Sequence, residues 1–246
     1  MIIPKSVTIL GFGSLLSEKS AKTTFPNLQN FRLGKVHNYK RVFGHPASIF
    51  FQRSIANIET KEMSSLSTEY CDGSSFVCSV FEVSNENGEF SNGNLADFSP
   101  SMAFREREEE FEIIMVPYEE LSSNVVSDVD SDHSSPSNLL KGILCTRSTD
   151  EKYIELWGDK RFEENYLKYK IDTIWNWGVD SGLKPCGPYL RHCVLAAKNM
   201  GDECYQSFLN DTFLVDRKTT IREYLENNPV LMDTLPPTDL RERYGG

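Results

Sequence analysis

The chain begins with an apolar run, Val7-Thr8-Ile9-Leu10, that stops at Gly11 and passes through Phe12-Gly13-Ser14-Leu15-Leu16 into the polar stretch SEKSAKTTFP. This pattern predicts a strand feeding a glycine loop, with a breaker at Pro26. VHNYKRVFGH and SIFFQRSIANIE are aromatic and β-branched, bounded by Gly and Pro, and both read as strands. SSFVCSVFEVS alternates Phe76, Cys78 and Val80 against Val77, Phe81 and Val83, a further strand, and NENGEFSNGN after it is turn chemistry. Ser99-Pro100 predicts a helix start, Ser as N-cap and Pro at the first helical position, leading into SMAFREREEEF. FEIIMVPYEE and KGILCT are strands. Between them, residues 119–138 are rich in Ser and Asp with hardly a large apolar side chain, a surface insertion that cannot offset its ordering entropy by burial.

The second half changes period. EKYIEL fits a helix start or a short strand, and Phe162 to Trp177 places Tyr166, Tyr169, Thr173 and Trp177 at helical spacing. After the turn GVDSGLKPCG, a helix starts near Pro188, sets Tyr189, Leu190, Cys193, Val194 and Ala197 on one face and stops at Gly201. DECYQSFLND and TIREYLENN are helical, the latter opened by a Thr220/Glu223 capping box. Strands first and helices last is an α+β pattern. It predicts a main unit over 1–205 and a helical extension over 206–246 packed on the same domain.

Composition removes several classes of function. With 36 acidic against 26 basic residues the net charge is -10, and no basic cluster offsets it, so no nucleic-acid partner is expected. The longest apolar runs fall far short of the roughly 20 residues of a membrane span, so no membrane partner is expected. Six scattered cysteines form no C-x-x-C pair and have no histidine at ligand spacing, which predicts reduced thiols, no metal site and an intracellular, cytoplasmic protein. The N-terminus shows no separable leader.

The glycine loop is the first candidate for chemistry. A dinucleotide fingerprint needs a third glycine, here Leu16, and an acid about 20 residues on, where Phe31, Arg32 and Leu33 stand. A Walker loop needs Gly-Lys-Ser/Thr, and the chain has none. What remains is a tight turn, or a loop whose backbone N–H groups meet an anion or carbonyl oxygen with no side chain in the way. The second candidate is Glu108. On a wheel of ~100° per residue, Glu108 shares the face of Phe104 and Phe111 while Glu106, Glu109 and Glu110 point away. A carboxylate against aromatic rings is desolvated, which raises its pKa toward the useful range for proton transfer; Arg107 alongside opposes that shift. Glu106 is the fallback if the register shifts by two, and a buried ion pair is the structural alternative. His37, His45, His133 and His192 stand near no recognisable nucleophile elbow, and His192 is expected on the exposed side of its helix.

Three motifs in order, Phe12-Gly13-Ser14-Leu15, Arg107-Glu108 and Pro185-Cys186-Gly187-Pro188-Tyr189, resemble the gamma-glutamylcyclotransferase superfamily, including its ChaC-type branch. Tyr39 to Phe43 is similar to the family's strand after the first loop, and Ala197-Lys198 to Gly201 to the end of its late helix. Phe12 stands where the family has tyrosine, Cys186 where it has serine, and Arg105 where an aspartate precedes Arg-Glu. The resemblance implies a small mixed β-barrel flanked by helices, a gamma-glutamyl substrate bound at the barrel mouth, release of 5-oxoproline, and no cofactor. It implies Glu108 as general acid/base and Phe12, Gly13, Ser14, Leu15 and Tyr189 as substrate-binding residues. A catalytically silent binding or regulatory member of the same fold is the alternative, and an acid-dependent hydrolase or lyase a third.

Overall fold

The computed structural model describes residues 6–84, 90–91, 99–100, 102–121 and 140–245. In chain order the first half contains β1 (Ser6–Gly11), α1 (Glu18–Thr24), β2 (Gln29–Pro46), α2 (Ser48–Gln52), β3 (Glu62–Ser84), β4 (Phe90–Ser91), β5 (Ser99–Pro100), α3 (Met102–Arg107) and β6 (Glu112–Glu120). The second contains β7 (Leu140–Thr146), α4 (Asp150–Trp157), α5 (Asp159–Asn165), β8 (Lys184–Pro185), α6 (Gly187–Asn199), α7 (Asp202–Asn210), β9 (Thr212–Phe213), α8 (Ile221–Asn227) and α9 (Arg241–Tyr244).

Five strands close a barrel. β1 runs antiparallel to β3, with Ile9 opposite Phe81, and parallel to β7, with Ile9 also opposite Ile143. β7 pairs antiparallel with β6 and β6 with β2. The long antiparallel ladder of β2 and β3, from Gln29 opposite Glu82 to Pro46 opposite Ser64, completes the ring. That ladder is bent by register shifts at Gln29/Arg32, His37/Tyr39 and Phe43/His45, and such bulges let two long strands curl. The two-residue strands β8 and β9 extend the edges. With helices around it, this is the α+β arrangement of a small mixed β-barrel flanked by helices, with further helices at its C-terminal end.

The core explains the placement of the helices. α6 begins with Pro188 in its first turn and buries Tyr189, Leu190, Cys193, Val194, Ala196 and Ala197, a wide apolar face. α7 adds Cys204, Phe208 and Leu209, and α8 adds Ile221 and Tyr224 behind the Thr220/Glu223 capping box. A second cluster gathers Phe51, Met63, Tyr153, Phe162, Tyr166, Ile171, Ile174 and Trp175, joining α2, α4 and α5. All six cysteines are free thiols, five of them buried. Among the described residues no helix is long and apolar enough to cross a membrane, and no group of three or more His, Cys, Asp or Glu is placed to hold a metal ion.

Several expectations are corrected. SIFFQRSIANIE is not a strand: Ser48–Gln52 is one helical turn, α2, and the chain leaves it through Ser54 at φ 55°. Ser99-Pro100 does not cap a helix but pairs as β5 with β4, and α3 starts at Met102. The helix expected from Phe162 to Trp177 ends at Asn165, passes through a 3-10 turn over Leu167–Tyr169 and is stopped by Lys170 in the left-handed region at φ 64°. His192 is not exposed; Tyr244 of α9 packs edge-on against its ring at 5.8 Å. Of the 119–138 insertion, Glu119 and Glu120 belong to β6, and 122–138, with His133, lie outside the described residues.

Candidate active site

The glycine loop leaves β1 at the barrel end. Gly13 precedes a 3-10 turn, Ser14–Leu16, closed by Leu16 N–H donating to the Gly13 carbonyl at 2.9 Å and Ser17 N–H to that of Ser14 at 3.2 Å. The Ser79 hydroxyl, from β3, donates to the Leu15 carbonyl at 2.8 Å and pins the loop to the barrel. No hydrogen bond engages the N–H groups of Gly13, Ser14 and Leu15 among the described residues. Gly13 is glycine for a steric reason: a Cβ there would stand 2.5 Å from the Tyr189 hydroxyl oxygen.

Tyr189 is positioned by the start of α6. Its ring meets Phe43, Phe50 and Tyr244 at centroid distances of 6.2, 5.0 and 6.4 Å, and its hydroxyl engages Cys193 and Ser65. Burial first, then the neighbouring Cys193, pushes the phenol well above its ordinary pKa, so it is a neutral hydrogen-bonding group. Phe12 is also buried and places its ring edge-on to Phe111 at 6.5 Å.

The acidic run lines the same cavity. α3 ends at Arg107, and a turn follows in which Glu108 N–H donates to Phe104 and Phe111 N–H donates to Glu108, both at 3.0 Å. Glu108 accepts from Arg107 Nε at 2.6 Å and is in hydrogen-bonding contact with the Cys145 thiol on β7. The Arg107 guanidinium lies over the Phe25 ring at 5.6 Å, so the pair is half-buried beside aromatic surface. Glu106 is exposed. Glycine loop, Tyr189, Phe12, Glu106 and Glu108 all line one cavity of about 640 Å³, which is also lined by Trp157 and the α5 residues Lys160, Arg161 and Asn165. The structure thus brings together every residue that the sequence nominates for the site.

It also adds two. The helical wheel turns Glu109 and Glu110 outward, yet both are buried, because α3 stops before them and the turn swings them inward. Glu109 accepts from Ser48 Oγ at 2.7 Å, Arg161 Nε at 2.7 Å and Asn165 Nδ2 at 3.0 Å. Glu110 accepts from the Tyr166 hydroxyl at 2.7 Å and from Ser48 N–H at 3.0 Å. Desolvation, reinforced by the charge of Glu109, raises the Glu110 carboxyl to about 7. The carbonyls of Glu109 and Glu110 accept from the indole N–H groups of Trp157 and Trp175, which fixes the turn. Three consecutive acids followed by an aromatic were the available signal; the helix end that reverses their facing is not written in the periodicity.

No family model matches the chain's sequence, and a search of curated proteins finds no match. Solved structures that align with the chain include the following three. An uncharacterized protein from Homo sapiens, loc79017, aligns at TM-score 0.43 and 10% identity over 80% of this chain and 81% of its own. A gamma-glutamyl cyclotransferase aligns at TM-score 0.36 and 13% identity, covering 67% and 83%. A yeast gamma-glutamyl cyclotransferase specific to glutathione aligns at TM-score 0.44 and 11% identity, covering 93% and 96%.

Proposed function

We propose that the chain is a gamma-glutamyl cyclotransferase, releasing 5-oxoproline from a gamma-glutamyl amide or peptide with Glu108 as general acid/base. The observation that carries this reading is the convergence on one cavity of a glycine loop whose Gly13, Ser14 and Leu15 N–H groups meet no hydrogen-bond acceptor among the described residues, a buried neutral Tyr189 and the Glu108 side chain. The reaction is an internal acyl transfer: the substrate's α-amine attacks its own γ-carbonyl, forming a five-membered lactam and expelling an amine. An ammonium cannot attack, so a carboxylate must take its proton, and Glu108, held by Arg107 Nε at 2.6 Å, is the carboxylate assigned that task. The N–H groups of Gly13, Ser14 and Leu15 hold the glutamyl group and stabilise charge as it develops on the carbonyl oxygen. Phe12, Phe111 and Tyr189 wall the ring-closing carbons from water. No electrons are exchanged, and the reaction calls for no cofactor.

One observation favours the silent alternative: Phe12 presents no hydroxyl and is spent in an aromatic contact with Phe111. Incubation with glutathione, gamma-glutamyl dipeptides and gamma-glutamyl amines, with 5-oxoproline measured by chromatography, separates the two. Release from at least one donor class is expected; no release from any donor rules out the cyclotransferase reading and leaves the binding role or a hydrolase or lyase acting on another amide.

A further inference from the structure

Glu110 is a carboxyl in this cavity to which the single-base scheme gives no task. Its neighbour Glu109 absorbs the available cation, since Arg161 reaches Glu109 Oε2 with both Nε and Nη2 at 2.7 Å. The hydrogen-bond donors to Glu110 are the Tyr166 hydroxyl and the backbone N–H groups of Ser48 and of Glu110 itself, all neutral, and no ion pair involves it among the described residues. Ser48 bridges the two acids, its N–H to Glu110 and its hydroxyl to Glu109. The titratable groups around Glu110 are Glu109 on its own turn, Tyr153 of α4, and Tyr166 just beyond α5, with Arg161 of α5 turned to Glu109. Two residues away, Glu108 has a guanidinium at 2.6 Å. One cavity therefore holds a carboxylate paired with a cation and a carboxyl that is buried, uncompensated and beside a like charge, and such opposed environments divide base from acid.

Resting on the cyclotransferase reading, we infer that Glu110 is a second proton carrier of the site, the acid that protonates the leaving nitrogen while Glu108 serves the attacking one. The steps balance. Glu108 takes one proton from the substrate's α-ammonium, and the freed amine adds to the γ-carbonyl carbon, forming the new C–N bond. As the original C–N bond breaks, the protonated Glu110 gives its proton to the departing nitrogen. Glu110 recovers one from the ring nitrogen, which carries two hydrogens after addition and keeps one in the lactam. The proton held by Glu108 leaves with the amine product as its ammonium, so both side chains return to their starting states. At neutral pH the raised titration of Glu110 supplies the protonated form this needs.

The test compares two donors that differ in leaving group, a gamma-glutamyl alkylamide and gamma-glutamyl-p-nitroanilide, whose nitroaniline departs with little need of protonation. Glu110→Gln is expected to lower kcat on the alkylamide by about 100-fold and on the anilide by less than about 10-fold. Equal losses on both, or none, overturn the inference and leave the cyclotransferase reading standing; absence of 5-oxoproline from wild type overturns both. Tyr166→Phe keeps the inference testable should Glu110→Gln fail to fold. It removes a donor that favours the ionised carboxylate, so the alkaline limb of kcat on the alkylamide should move up by roughly half a pH unit or more. A limb that stays in place counts against the acid role.

Discussion

Gly13→Ala probes the packing of loop against α6. The added methyl would lie 2.5 Å from the Tyr189 hydroxyl oxygen, about 0.9 Å inside the 3.4 Å at which ordinary van der Waals contact begins. A tyrosine tip on a surface side chain would swing aside, but Tyr189 is enclosed by Phe43, Phe50 and Tyr244 and tied to Ser65 and Cys193, so relief requires moving the ring or the loop. Overpacking of this kind costs about 1–3 kcal/mol. The offending atom is the oxygen alone: the next Tyr189 atom, Cζ, is 3.7 Å away, and Leu66 Cδ2 is 3.6 Å away. A double-mutant cycle with Tyr189→Phe isolates that contact, because whatever the alanine does to the backbone at position 13 appears in both backgrounds and cancels. Urea unfolding followed by tryptophan fluorescence should show Gly13→Ala costing about 1–3 kcal/mol in wild type and at least 1 kcal/mol less in the Tyr189→Phe background. Equal costs in the two backgrounds would refute the claimed contact between loop and tyrosine.

Three further outcomes follow from buried polar groups and a helix end. His45 is fully buried between Trp175 and Phe111, and desolvation, with the Arg147 charge second, pushes its pKa down to about 3. The unfolded chain therefore binds the proton first as pH falls, so the stability this neutral imidazole retains near pH 7 is lost between about pH 6.5 and pH 3, at up to ~1.4 kcal/mol per pH unit. His45→Phe should flatten that part of the stability profile relative to wild type; parallel profiles would contradict the burial. Glu109→Gln takes the charged partner from Arg161 and also removes a like charge beside Glu110, so the Glu110 titration should move down, measurable as a carboxyl-stretch titration by infrared difference spectroscopy. Thr220→Ala removes a cap whose hydroxyl accepts from Glu223 N–H at 3.2 Å, and should cost about 1 kcal/mol in chemical denaturation.

Much of the architecture is legible in the sequence where hydrophobic period and punctuation agree. The strand ending at Gly11, the apolar run of β3 around Phe76 to Phe81 and the Pro188-to-Gly201 helix are of this kind, and so is the Thr220/Glu223 box, present with both reciprocal bonds. Misreadings occur where tertiary contacts override local pattern. α2 is rich in β-formers, yet its first N–H finds an acceptor in Glu110 from a distant turn. The aromatic spacing after Phe162 is real, but Tyr166 and Tyr169 spend it packing on Phe51 across a 3-10 turn. His192 is covered by a C-terminal residue, Tyr244, that no period within α6 announces. For the site, sequence motifs nominate the glycine loop, Glu108 and Tyr189, and all line the cavity. Glu109 and Glu110 escape notice because a wheel assumes that the helix continues, and the helix ends at Arg107.

The proposed cyclisation of a gamma-glutamyl group through Glu108 is tested most directly by 5-oxoproline release from wild type, Glu108→Gln and Glu106→Gln at a saturating donor. Glu108→Gln keeps the shape of the side chain and removes its proton exchange, so kcat should fall by at least about 100-fold while the fold is retained. Glu106, exposed at the cavity edge, should tolerate the same change with nearly full activity. Undiminished release from Glu108→Gln would contradict the account, and loss from Glu106→Gln instead would move the base to that residue.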